Sequence, residues 1–177
     1  MNLIQDISKD ILDKVGTVQT LESLKTFATS KVPALIWQRS ILPEFQEWIE
    51  NLNFDDLPSA RLILDPSKVH STLNLLFDEA GTPDGTHRRW LIEDITQVTH
   101  FFADLMGSPF VRLRIDRVTT NACKKFHIDC ILARLICTYR GTGTQYGISS
   151  NKEEPESIYT VSTGNPMLLS GTMWPGQ

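Results

Sequence analysis

The chain has 177 residues, of which 41% are hydrophobic and 21% charged, and a net charge of −4, so it carries enough apolar material for a buried core and is not intrinsically disordered as a whole. No stretch approaches the roughly 18 uncharged apolar residues of a membrane span, which excludes an integral membrane protein. Residues 1–109 carry 9 Lys/Arg against 16 Asp/Glu, while residues 110–140 carry seven basic groups against two acidic ones; this basic island fits a small anionic molecule, and its acidic surroundings argue against nucleic acid as the partner.

The first 108 residues read mainly as helices. Ile4, Ile7, Ile11, Leu12 and Val15 recur at helical spacing, with Gly16 as the expected stop. Leu21, Leu24, Phe27 and Ala28 predict a second short helix, and Pro33 to Trp37 an apolar strand. Leu42 to Leu52, with Pro43 in its first turn and Phe45, Trp48, Ile49 and Leu52 on one face, predicts a helix. Arg61 to Leu64 reads as a short strand. Asp65-Pro66 then sets an N-cap with proline at the first helical position, opening a helix that runs to Gly81. A long amphipathic helix is predicted from Asp84 to Met106, closed by Gly107 and Pro109.

At Pro109 the period changes. Val111, Leu113 and Ile115 alternate with Arg112, Arg114 and Asp116, as a half-buried strand requires. Phe126–Cys130 and Ala133–Tyr139 are further strand candidates, Arg140–Thr144 a turn and Ser149–Ser157 a polar loop. Ile158–Val161 and Met167–Leu169 read as short, weaker strands. The pattern predicts an α+β protein: a helical N-terminal region over 1–108 and a β-rich region over 109–177, integrated as one domain. Three cysteines, an odd number, fit a reducing compartment. With no basic n-region or apolar h-region near Met1, a cytoplasmic location is expected.

The chemistry concentrates at Phe126-His127-Ile128-Asp129. Residues i and i+2 of a strand share a face, so His127 and Asp129 are expected to point together into a sheet or barrel interior, with Phe126, Ile128 and Cys130 packed behind. An imidazole and a carboxylate so placed are two corners of the two-His-one-carboxylate triad that holds iron(II). Sulfur offers a second set: Cys123 and Cys130 with His127 suit zinc, although a regular strand turns Cys130 away from His127. A third reading is a hydrogen-bonded His–Asp pair in a protein-interaction module with no metal. Arg134 fits either a cross-strand ion pair with Asp129 or an anionic ligand, and Tyr139 either a pocket wall or strand packing. His70, His87 and His100 precede the β region, and none occupies the place of a distal ligand.

The segments Cys123-Lys124-Lys125-Phe126-His127-Ile128-Asp129, Arg134-Leu135-Ile136-Cys137-Thr138-Tyr139, Gly141-Thr142-Gly143-Thr144 and Trp174-Pro175-Gly176 together resemble the bacterial domain-of-unknown-function family 1826. Trp37-Gln38-Arg39, Leu57 to Leu64, Ala80-Gly81-Thr82-Pro83 and Val111-Arg112-Leu113-Arg114 also resemble family positions. More loosely, the order H-x-D, Arg, Thr-Tyr and Gly-Thr is similar to the start of the double-stranded β-helix of prolyl-hydroxylase-like oxygenases dependent on 2-oxoglutarate and iron(II). That resemblance implies a helical layer packed on a cupin-like, jelly-roll half, with His127 and Asp129 as metal ligands; the family's second histidine and its basic residue for 2-oxoglutarate have no match in this chain, and Arg134 and Tyr139 stand as the candidate cofactor-binding residues. Family relatives carry an H-R-S-P segment and a later Arg after W-P-G. Ending at Gln177, this chain is expected to leave the jelly roll and its third ligand incomplete. The family resemblance also implies an alternative, a non-catalytic metal-binding protein linked to zinc homeostasis.

Overall fold

A computed structural model describes residues 15–119, 127–149 and 155–175. In chain order its elements are β1 (Val15–Val18), a 3-10 helix (Glu22–Ala28), β2 (Ala34–Trp37), α1 (Pro43–Asn51), a 3-10 turn (Phe54–Asp56), β3 (Ala60–Leu64), a second 3-10 turn (Pro66–Lys68), α2 (Val69–Glu79), α3 (Thr86–Met106), β4 (Val111–Ile115), β5 (Ala133–Ile136), β6 (Gln145–Gly147), β7 (Ile158–Thr160) and β8 (Met167–Ser170). The protein is thus α+β. It divides into two compact units, one formed by residues 1–42 with 123–177, the other by residues 43–122.

The first unit is built on a four-stranded sheet in the order β1-β2-β8-β5. β1 runs parallel to β2, with Val15 opposite Ala34, while β8 lies antiparallel to both β2 and β5. Pleating puts Ala34, Ile36, Met167 and Leu169 on one face. Val15, Ala34, Ile36 and Met167 are buried there with Val161, and Tyr146 and Leu169 pack against them. Tyr146 comes from the β6–β7 ribbon, so two β layers share this core. Phe27 of the 3-10 helix meets the Trp174 ring at 4.9 Å between centroids.

Three sequence expectations need correction here, and one is sharpened. Gly16 does not stop a helix: it lies inside β1 opposite Leu35, where a Cβ would fall 2.5 Å from Leu35 Cδ2. Val15 opens that strand, and the rest of the helix expected over Ile4–Val15 lies outside the described residues. The strand expected over Met167–Leu169 is present as β8, and it is an interior one, paired on both sides, with Met167 and Leu168 buried. A strand flanked on both edges reads as a short continuous apolar run, which carries no alternation to mark it. Of Phe126–Cys130, residues 127–130 form no strand, and Phe126 lies outside the described residues. Ala133–Tyr139 is extended only to Ile136.

The second unit follows the sequence closely. Phe45 of α1 packs on Trp90 of α3 at 4.4 Å between ring centroids. Asp65 Oδ1 accepts the Ser67 amide at 2.8 Å at the turn leading into α2, and these bonds hold the Asp65 carboxyl below the usual carboxylate range. Gly107 closes α3. β3 and β4 form an antiparallel ribbon with Leu62 opposite Leu113 and Arg61 opposite Arg114. Arg88, 7% exposed, is held by the carbonyl oxygens of Thr82 and Asn74 at 2.9 and 3.3 Å and by the Asp78 carboxylate. Among the described residues no helix is long and apolar enough to cross a membrane.

Candidate functional site

The residues after β8 position His127 and Asp129. The amides of Gly171, Thr172 and Met173 donate to the carbonyl oxygens of Leu132, Asp129 and Ile131 at 2.7, 3.0 and 3.1 Å. Three successive amides binding three carbonyls out of ladder order bend the segment rather than extend it, which is the physical reason residues 127–130 are no strand. The approach is close: a Cβ on Gly171 would lie 2.1 Å from the Ile131 oxygen and 2.8 Å from the Asp129 oxygen. Trp174 in turn is anchored on Phe27. Trp174 thus has a structural task, and Gly171 just before it is a positioning residue that no motif signalled.

The segment presents its side chains outward. His127 Nε2 lies 3.5 Å from Asp129 Oδ1, with the two side chains 56% and 27% exposed. Arg134, at the start of β5, places Nη1 3.1 Å from Asp129 Oδ2. Arg134 therefore takes one carboxylate oxygen and leaves the other facing the imidazole. The expectation of a barrel-interior pair is corrected, since the segment sits at a surface and Ile128 is 66% exposed. Cys130 is exposed in the bend after Asp129. Cys123 lies outside the described residues. Tyr139 is half-buried, three residues beyond the end of β5.

A second arrangement borders this strand. Arg39, from the Trp37-Gln38-Arg39 segment, stacks its guanidinium 4.4 Å from the Trp37 ring centroid. Its Nε donates to the Gly164 carbonyl at 2.7 Å and its amide to Asn165 Oδ1 at 3.1 Å. Nη2 lies 3.9 Å from Cys137 Sγ. Arg39 so ties the end of β2 to the loop before β8 and to the residue after β5. Cation–π stacking on a neighbouring tryptophan leaves no periodic trace, which is why the sequence offered Arg39 only within a family-like segment and gave it no role.

The other histidines have local partners. His70 Nε2 meets Glu93 Oε1 at 3.1 Å, His100 Nε2 meets the Pro66 carbonyl at 2.7 Å, and His87 packs on Trp48 at 5.8 Å. Among the described residues no group of three or more His, Cys, Asp or Glu side chains is placed to hold a metal ion.

The donor spacing of the His127–Asp129 pair can be compared with a metal's demands. Two ligands about 2.1 Å from one ion stand about 3.0 Å apart at a right angle and about 3.4 Å apart at the tetrahedral angle. The observed 3.5 Å is slightly longer than either separation and is also the spacing of an ordinary His–Asp contact, while Arg134 at 3.1 Å fixes the orientation of the carboxylate. The described residues do not complete a three-residue triad.

A family model described as a protein of unknown function (DUF1826) matches residues 19–177. No curated protein and no solved structure matches the chain.

Proposed function

Since the chain belongs to the family of proteins of unknown function DUF1826, which carries no assigned activity, we propose a function from the site itself: an oxygenase-like protein dependent on iron(II) and 2-oxoglutarate, with His127 and Asp129 as metal donors. The observation that carries this reading is the convergence of His127 Nε2 and Asp129 Oδ1 to 3.5 Å while Arg134 holds the other carboxylate oxygen. The two β layers around Met167 and Tyr146 support a reduced, jelly-roll-like frame for the β unit. The reading takes a small anionic molecule as substrate, in keeping with the basic residues over 110–140, and a cytoplasmic location.

When bound, iron(II) with 2-oxoglutarate supplies dioxygen activation for oxidising a C–H bond. The chain's own contributions are separate from that chemistry. Asp129 brings negative charge that favours any cation beside it, and Arg134 fixes which oxygen faces His127. Exposure of both donors keeps the position open to ligands from solvent. With two donors among the described residues, no catalytic step follows from this geometry.

The 3.5 Å gap also favours a second reading, a non-catalytic zinc protein, because it lies nearer the tetrahedral edge than the right-angled one. Anaerobic calorimetry on the full chain separates the two. Binding of iron(II) that tightens when 2-oxoglutarate is added supports the oxygenase reading. Zinc binding that 2-oxoglutarate leaves unchanged supports the second, and no heat with either metal overturns both.

A further inference from the structure

The β3–β4 ribbon of the second unit carries a face that the proposed site does not use. Register puts Ala60, Leu62 and Leu64 opposite Ile115, Leu113 and Val111 on one side, and Val111 is buried there. The other side holds Arg61 opposite Arg114 and Ile63 opposite Arg112, all four exposed. Like charges directly opposite one another destabilise a ribbon, so the Arg61–Arg114 pairing costs folding energy. Arg114 is partly compensated by the Asp116 carboxylate, and Arg117 just beyond by Asp55 at 3.3 Å. Beyond the ladder itself, the side chains of Arg61 and Arg112 make no ion pair among the described residues.

Two further observations fall on the same ribbon. Large apolar side chains stand exposed around it: Ile63 at 69%, Phe110 at 59% immediately before β4 and Val118 at 62% shortly after it. Its outer edges pair with no further strand among the described residues. Arginine beside exposed aromatic and aliphatic groups is the composition of a binding surface, and an open edge offers backbone groups to an incoming strand.

We propose that the β4 edge and its arginine face dock an extended acidic polypeptide segment by strand addition. Side chains at i and i+2 of a strand stand about 6.6 Å apart, so alternate carboxylates of the incoming segment align with Arg112 and Arg114. Apolar residues at its two ends meet Phe110 and Val118. A polypeptide fits better than a nucleic acid, because the open backbone edge can be used only by another backbone. The carboxylates of Asp116 and Asp55 also interrupt the positive field a phosphate chain would follow.

The test is fluorescence anisotropy on the full chain with a fluorescein-labelled peptide of alternating Glu and Val. The comparison probes are the same peptide with Lys for Glu, one N-methylated at alternate amides, and an oligothymidylate of equal charge. The expected result is binding of the Glu peptide at least about tenfold tighter than each of the other three. Arg112→Ser together with Arg114→Ser weakens it about tenfold with unchanged circular dichroism. If the double variant does not fold, Arg112→Ser alone, at an exposed position with no ion pair among the described residues, gives the same reading. Equal binding of the Lys or N-methylated peptide, tighter binding of the oligothymidylate, or full affinity in the arginine variants overturns the proposal.

Discussion

The amide of Thr172 donates to the carbonyl oxygen of Asp129 at 3.0 Å, so a proposed metal ligand takes its backbone position from the segment leading into Trp174 and Pro175. Gly171 makes that approach possible, because a side chain there would collide with the carbonyl oxygens of both Ile131 and Asp129. The chain thereby links two motifs more than 40 residues apart in sequence, and the geometry of one depends on the other.

The first prediction follows from that closeness. Gly171→Ala is expected to destabilise the protein by about 2–3 kcal/mol, since backbone oxygens cannot move aside as a flexible side chain can. Chemical denaturation measures the loss, and the amide and imidazole NMR signals of residues 127–132 should shift far more than those of the second unit.

The Asp129–Arg134 contact at 3.1 Å joins side chains 27% and 40% exposed. Solvent screening at that exposure limits its worth, so a double-mutant cycle with Asp129→Asn and Arg134→Met should give a coupling of about 0.5 kcal/mol. A coupling several times larger would mean that the pair is more deeply shielded than its exposure indicates. The value of Arg134 in this account is orientation of the carboxylate rather than stability.

Much of this was legible in the sequence, for identifiable reasons. The switch from helical to alternating period at Pro109 is real because Val111 packs inward while Arg112 and Arg114 face water. Asp65-Pro66 read as a helix start because capping is a local interaction. β1 was not legible: its parallel pairing with β2 is non-local, and Gly16 serves close packing on Leu35 rather than helix termination. His127 and Asp129 were singled out by strand spacing; their side chains do stand 3.5 Å apart, but on a bent segment rather than on one face of a strand. Their exposure was not, since it depends on backbone bonds from Gly171 to Met173 that no local pattern announces.

Arg88 illustrates a buried charge with a stability role. Its guanidinium is 7% exposed and bridges Thr82, Asn74 and Asp78, while Asp78 itself is largely exposed. Arg88→Met keeps much of the volume but leaves two carbonyl oxygens without their donor, a loss of about 2–3 kcal/mol. The drop should appear in thermal melts, with little change in the NMR signals of His127.

Asp65 gives a pH prediction with a defined sign. Its folded carboxyl is depressed below the ordinary value of 3.8, chiefly by the Ser67 backbone hydrogen bond. The stability it adds is therefore present above the unfolded carboxylate pKa and is lost as pH falls through the lower folded value. Asp65→Asn should lower the melting temperature near pH 7 and bring a smaller further loss than the wild type between neutral and acid pH. A parallel pair of melting curves would contradict the assignment.

The most direct test of the account is metal content. Full-length protein dialysed anaerobically against iron(II) or zinc should retain about one ion per chain, and His127→Ala or Asp129→Asn should lower the affinity by tenfold or more. Retention unchanged in both variants, or no retention by the wild type, would contradict the claim that this pair holds a metal.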